Sequence, residues 1–334
     1  MIARALTAAL ALGAPAAALA NDSEAAIGLG GIELVQNGAV SMDSEDLFIS
    51  KDLVRVTYRY TNHTAKDAEI TVSFPVPAIP GDLLNWQGDG QVPDLDRLKF
   101  RTAVDGRPAT LSSLRRAEIK GRDVSARLKE LGWPMNWFTG EASEPDFVHR
   151  LTQQQRAAFV KEGLLRRDPR DPAFVLPAWD MVTHVTRRQT FPAGKTVTVT
   201  HEYSPLAGGS VAGALYPEIR KNADWQDYAR RYCIDAEFLA AFDAREARNR
   251  KARPESPAPY GETWIDYILK SGRNWRGPIK DFRLVVDKGK PDNLVSFCMA
   301  GVKKISPTRF EVRKTNFEPT KDLRILIVEW YKTD

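Results

Sequence analysis

The nine residues Leu53-Val54-Arg55-Val56-Thr57-Tyr58-Arg59-Tyr60-Thr61 decide the fold class. Val54, Val56, Tyr58 and Tyr60 fall on one side of an extended chain, and Arg55, Thr57 and Arg59 on the other. A period of two with one apolar face predicts a half-buried antiparallel strand. Asn62-His63-Thr64 follows as a turn. Ala68, Ile70, Val72 and Phe74 then alternate with Glu69, Thr71 and Ser73, so the two runs read as a hairpin. Pro75, Pro77 and Pro80 end it, because proline donates nothing to a ladder.

Working outward, Phe100–Val104 before Asp105-Gly106 predicts another strand. The pattern then turns helical. Asp123 is placed to cap a helix with Val124, Leu128 and Leu131 inward and Gly132 as its stop. Thr152 and Gln155 have capping-box spacing for a second helix through Phe159 and Val160. This region, about 112–178, reads as a helical insertion. Strands resume at 181–191 and 195–204, on either side of Pro192-Ala193-Gly194. Trp225, Tyr228, Ala229 and Tyr232 share a helical face leading to Cys233, and Asp235 can cap a continuation to about Arg250. Beyond the prolines at 254, 257 and 259, strands are expected at 264–270, 282–287, 294–298, 309–313 and 323–330.

The expected fold is therefore mainly β with helical insertions, in two β-sandwich-like lobes that are predominantly antiparallel. The expected organisation is a leader at 1–20 and an N-terminal sandwich at 21–210 that carries the insertion. A helical connector and Pro-rich linker at 211–257 and a C-terminal β lobe at 258–334 follow.

The leader reading rests on Arg4, the Ala/Leu run from Ala5 to Ala14, Pro15, and the small-x-small site Ala18-Leu19-Ala20. Together these form a secretory signal peptide pattern. It implies a periplasmic or secreted protein cut near Ala20. No later apolar run reaches the ~18 residues of a spanning helix, so the chain is not expected to span a membrane. Without Arg4 the chain keeps 47 of its 48 basic side chains against 43 acidic ones, a net charge of +4. So mild a charge argues against nucleic acid as partner and fits scattered solubilising charge, with anionic envelope surfaces next. Two cysteines in an oxidising compartment predict one disulfide, Cys233–Cys298, and no CxxC is present.

Catalytic signatures are missing. There is no HExxH, no His/Cys zinc spacing, no GxSxG and no SxxK. His184 and His201 fall on strands expected to pair, which would bring the rings together, but Glu202 points away from His201 because side chains alternate along a strand. Gly28-Leu29-Gly30-Gly31 lacks the dinucleotide spacing, and Asp89, Asp94 and Asp96 lack the EF-hand pattern. No catalytic residue, metal site or cofactor is assigned. Candidate binding residues are Trp133, Trp137, Arg115 and Arg116, on or beside the insertion. Exposed, the two indoles would stack on sugar rings or a partner surface; buried, they form the insertion's core, the commoner use of large aromatics.

Several segments resemble the DUF4424 family of uncharacterised exported bacterial proteins. They are Asn21-Asp22-Ser23, Gly30-Gly31, Met42, Glu45-Asp46-Leu47-Phe48-Ile49-Ser50, Tyr58-x-Tyr60-x-Asn62 and Phe74-Pro75-x-Pro77. Later come Tyr232-Cys233, Trp275-x-Gly277-Pro278-Ile279-x-Asp281-Phe282, Ser296-Phe297-Cys298 and Asn316-Phe317-x-Pro319. The resemblance covers nearly the whole mature chain and implies a compartment and a β-rich fold, not a reaction. The first functional expectation is a non-catalytic periplasmic binding or assembly module, its partner an envelope protein or cell-wall polymer. The alternatives are a cell-envelope polymer hydrolase, with paired carboxylates ~5 to 10 Å apart in a Trp-lined cleft, and a self-associating structural protein.

Overall fold

A computed structural model describes residues 22–28, 31–79, 98–135, 137, 145–168, 171–205, 207–210, 213–252 and 260–331. The expected leader and cleavage point, the Asp89/Asp94/Asp96 loop and the Pro-rich linker lie outside these residues.

The first half of the chain is built of β1 (Ser23–Gly28), β2 (Gly31–Val35), β3 (Val40–Ile49), β4 (Val54–Asn62), β5 (Ala68–Ile79), β6 (Arg101–Val104), β7 (Arg107–Pro108), β8 (Ser112–Ile119) and β9 (Arg122–Asp123). The stretch between β9 and β12 carries α1 (Ser125–Leu131), α2 (Asp146–His149), α3 (Gln153–Glu162), β10 (Leu165–Arg167) and β11 (Val175–Pro177). Then come β12 (Asp180–Phe191), β13 (Thr196–Tyr203), β14 (Ala207–Ser210), α4 (Trp225–Tyr232) and α5 (Ala236–Ala252). The chain closes with β15 (Tyr260–Tyr267), β16 (Ile279–Asp287), β17 (Leu294–Phe297), β18 (Lys303–Lys304), β19 (Arg309–Phe317) and β20 (Leu323–Trp330).

The strands form a six-stranded sheet, β2-β1-β5-β12-β8-β9, an eight-stranded sheet, β18-β19-β16-β3-β4-β13-β6-β7, and a four-stranded sheet, β14-β15-β20-β17, with β10 and β11 as a separate pair. The fold is mainly β, and every pairing among the described residues is antiparallel except that of β3 with β16, where Leu47 lies beside Leu284. Through that pairing a strand from the end of the chain joins the sheet built by its beginning. One core cluster accordingly runs from Val40 and Tyr58 through Phe74, Val185 and Leu284 to Ile325. Separate clusters form around Leu128, Trp137 and Trp179 and around Val148 and Leu165. Helices α4 and α5 bury Tyr232 and Phe242 against Tyr260, Leu326 and Trp330 of the four-stranded sheet.

The alternation in β4 is realised: Val54, Val56, Tyr58 and Tyr60 are buried while Arg55 and Arg59 are exposed. The hairpin is not. β4 pairs with β3 and β13, and β5 with β1 and β12, in two different sheets. The expected pairing of the strands that carry His184 and His201 fails in the same way, since β12 and β13 also belong to different sheets. Both connections are arches that carry the chain from one sheet to the facing one. Asn62, fully buried, holds them together. Its amide donates to the Lys66 and Phe191 carbonyls at 2.8 Å each, and its carbonyl oxygen accepts from the Thr64 N–H at 2.9 Å. A buried amide satisfied by both crossings fixes where they lie.

Local capping follows the sequence closely. The Thr152 hydroxyl accepts from the Gln155 N–H at 3.2 Å, and the Gln155 side chain accepts from the Thr152 N–H at 2.9 Å, a complete capping box on α3. Asp235 accepts from the Phe238 N–H at 2.8 Å at the start of α5. Asp123 sits one residue earlier than expected: Val124 is the N-cap of α1, and Asp123 accepts from the Ser125 N–H at 2.8 Å.

Candidate functional site

The interior between the sheets is not purely apolar. Asp22, in the residue before β1, is fully buried there. Arg187 of β12 donates to both its carboxylate oxygens, at 3.2 and 2.7 Å, and the Tyr60 hydroxyl of β4 donates at 3.3 Å. His201 Nε2 of β13 lies 3.1 Å from Asp22 Oδ1. The Trp275 indole N–H donates to the Asp22 backbone carbonyl at 2.6 Å. Burial alone would raise the Asp22 carboxyl, but Arg187 and His201 outweigh it and hold the group well below the usual carboxylate range. Burial pushes His201 down, against the pull of Asp22, so its ring is neutral at neutral pH. Nε2 faces Asp22, and Nδ1 lies 2.7 Å from the Thr102 hydroxyl. Nearby, the Tyr58 and Tyr267 hydroxyls meet at 3.0 Å, and Tyr267 donates to buried Glu45 at 3.4 Å.

Thr102, His201 and Asp22 thus stand in the order hydroxyl, imidazole, carboxylate of a nucleophilic relay. What decides their role is the direction of the hydroxyl. In register, Thr102 lies opposite His201, Arg101 opposite Glu202 and Ala103 opposite Thr200. Thr102 and His201 share the inner face, where His201 packs among the rings of Tyr58, Phe74 and Phe100. The Thr102 hydroxyl is spent inside the core, and the chain of bonds serves as a lock between sheets.

A concavity adjoins the same strands. A surface pocket of about 540 Å³ is lined by Phe100, Arg101, Ala103, Pro108, Leu111 and Glu202, with Thr102, Ala109 and Thr200 completing the wall. Its size is that of a small-ligand site. Glu202 is occupied by Arg55 on the adjacent strand, whereas the exposed guanidinium of Arg101 has no ion-pair partner among the described residues. No sequence motif marked this place, because β6, β7 and β13 converge only after the sheet forms.

Two other groupings resemble chemistry and are closed. The Ser41 hydroxyl lies 2.8 Å from His63 Nε2 but donates to Asp43 at 2.8 Å, so the carboxylate holds the serine and not the imidazole. Ser73, fully buried, lies 3.0 Å from His184 Nδ1, and His184 Nε2 is buried without a partner. Burial, then the charge of Arg116, pushes His184 down to about 4. Beside α4, buried Glu262 accepts from the Tyr228 hydroxyl at 2.5 Å, the Trp264 indole at 3.2 Å and the Tyr260 hydroxyl at 3.4 Å. Burial still raises it above the usual carboxylate range despite these donors. Among the described residues no group of three or more His, Cys, Asp or Glu side chains is placed to hold a metal ion.

The residues singled out from sequence fall as follows. Trp137 is buried, and Trp133 packs against Phe147 at 4.9 Å, Phe159 at 4.6 Å and Trp179 at 6.1 Å between ring centres. Trp137 is part of a buried cluster with Leu128 and Trp179, and Trp133, half-buried, packs against the same cluster. Arg116 pairs with Glu118 and lies 3.8 Å from Asp123, while the Arg115 Nε is buried without a partner. Cys233 and Cys298 form a disulfide with Cα atoms 5.1 Å apart, tying the end of α4 to the end of β17. A structural disulfide is compatible with an extracytoplasmic location. No helix among the described residues is long and apolar enough to cross a membrane.

Residues 20–326 match the family DUF4424, a domain of unknown function. No curated protein matches the chain. Among solved structures, a candidate nutrient binding protein from Legionella pneumophila is similar at 13% identity and a TM-score of 0.42, over 88% of this chain and 68% of that one. An M1 zinc metallopeptidase from Deinococcus radiodurans, bound to a tripeptide substrate, is similar at 8% identity and a TM-score of 0.26, over 89% of this chain and 44% of that one.

Proposed function

The chain belongs to the DUF4424 family, and on that premise we propose that it is an exported, non-catalytic binding module of the cell envelope, released into the periplasm or medium after cleavage near Ala20. The pocket beside β6 and β13 carries the reading. Apolar walls from Phe100, Ala103, Pro108 and Leu111 suit an aliphatic or aromatic body, and the unpaired Arg101 suits a carboxylate or phosphate on the same molecule. The Thr102 hydroxyl is engaged with the His201 imidazole in the core, which supports binding over hydrolysis. The interlocked sheets and the disulfide supply a stiff frame for such a site.

The test is native mass spectrometry of the mature protein purified from its own envelope, beside Ala103→Trp, which fills the pocket, and Arg101→Ala. A co-purifying small anion seen with the natural chain, lost with Ala103→Trp and weakened with Arg101→Ala, is the expected result. A natural chain that carries nothing and binds no member of an amphipathic acid library would overturn it.

A further inference from the structure

The far edge of the eight-stranded sheet carries a different surface. β18 is only two residues long, Lys303 and Lys304, paired to Glu311 and Phe310 of β19. The turn that leads into it, Gly301-Val302, and the residue that follows, Ile305, leave two β-branched apolar side chains in water: Val302 is 40% exposed and Ile305 47%. Both lysines are exposed, and neither has an ion-pair partner among the described residues. The carboxylate opposite Lys303, Glu311, is already held by Arg283 at 2.8 Å and by Arg313 at 3.1 Å. Lys304 stands close enough to Lys288 to depress it further, after burial has done so, and a lysine on β19, Lys314, reaches toward Gly301. Consecutive on a strand, Lys303 and Lys304 project to opposite faces of the sheet, so this edge presents one lysine on each side, with the exposed Val302 and Ile305 flanking them in sequence.

Lysines on a short edge strand are a known guard against edge-to-edge pairing. That guard has no need of exposed Val and Ile beside the lysines, and apolar residues there would weaken it. The combination of unpaired cations with short apolar side chains at one sheet edge matches an anionic lipid surface, where ammonium groups meet phosphates and apolar tips enter the headgroup boundary. We propose that the Val302–Ile305 edge docks the protein peripherally onto an anionic phospholipid bilayer. The proposal rests on this edge alone and is independent of the pocket.

The experiment is flotation of the full mature protein with vesicles of phosphatidylglycerol and phosphatidylcholine, and with pure phosphatidylcholine vesicles, at low and high salt. Binding to the anionic vesicles only, weakening with salt, is expected. Lys303→Gln/Lys304→Gln should reduce the partition coefficient roughly 25-fold, the product of about fivefold for each lysine. Val302→Ser/Ile305→Ser should reduce it roughly tenfold while leaving the melting temperature unchanged. Absence of binding to anionic vesicles, or equal binding by the lysine variant, overturns the proposal. So does equally tight binding of soluble polyphosphate that ignores Val302→Ser/Ile305→Ser, since the partner is then a soluble polyanion. A lysine variant that binds vesicles normally but aggregates assigns the lysines to edge protection and overturns it as well.

Discussion

Asp22→Asn keeps the shape of a side chain that is fully buried and removes only its charge. The Arg187 guanidinium, with 2% of its side chain exposed, then faces an amide in place of a carboxylate. It loses two charge-assisted bonds, at 3.2 and 2.7 Å, and has no other anion within ion-pair distance among the described residues. His201 loses the carboxylate 3.1 Å from its Nε2. Breaking a buried pair by removing one partner costs about 3–5 kcal/mol, because the remaining charge stays desolvated. The bond from the Trp275 indole to residue 22 uses the backbone carbonyl and survives the substitution, so the experiment isolates the carboxylate. Urea unfolding at pH 7, followed by circular dichroism and tryptophan fluorescence, should show a loss of that size. Asp22→Asn/Arg187→Met should recover most of it, since replacing both partners with uncharged groups removes the buried cation. A loss below about 1 kcal/mol for Asp22→Asn, or a double variant no more stable than the single one, would refute the reasoning.

The remaining predictions concern other parts of the fold. His184 is pushed down to about 4 in the folded state, below its ordinary value of 6.5. The unfolded chain therefore takes up a proton that the folded one refuses, and stability falls as pH drops from 6.5 to 4, by roughly 3 kcal/mol. His184→Asn should flatten that slope by about that amount in unfolding curves taken across the window, and an unchanged slope would refute the assignment. Cys233→Ser/Cys298→Ser opens a link across a sequence separation of 65 residues and should cost about 4 kcal/mol, read in the same urea assay. At Gly213 a Cβ would fall 1.8 Å from the Glu262 carboxylate oxygen, so Gly213→Ala must displace that carboxylate from its Tyr and Trp donors. A loss of roughly 1–3 kcal/mol with altered tryptophan fluorescence is expected, and a neutral outcome would count against the tight seat drawn for Glu262.

The sequence by itself determined whatever depends on neighbours along the chain. The period of two in Leu53–Thr61 is a direct consequence of alternating side chains, and the buried and exposed faces fall where it placed them. The Thr152/Gln155 capping box closes within four residues, and its geometry appears as written. The pairing of Cys233 with Cys298 follows from there being two cysteines, whatever the fold between them. Tertiary structure alone decided which strands meet. An alternating run shows that one face is buried but carries no sign of whether its partner lies beside it or across a core, so β4 and β5 read as a hairpin and are an arch. The choice is made by Asn62, whose amide is satisfied only when Lys66 and Phe191 arrive together, 129 residues apart in the case of Phe191. Trp133 and Trp137 likewise showed their chemistry in sequence but not their surroundings, and Trp179 arrives to cover them only once the chain folds. Asp22 left no trace at all as a core residue. An isolated carboxylate beside polar residues reads as solvated, and its burial becomes affordable only when Arg187, 165 residues away, and His201 are brought to it by two sheets packing face to face. The pocket beneath Arg101 has the same origin, since strands far apart in sequence make a wall only after their hydrogen bonds set them side by side.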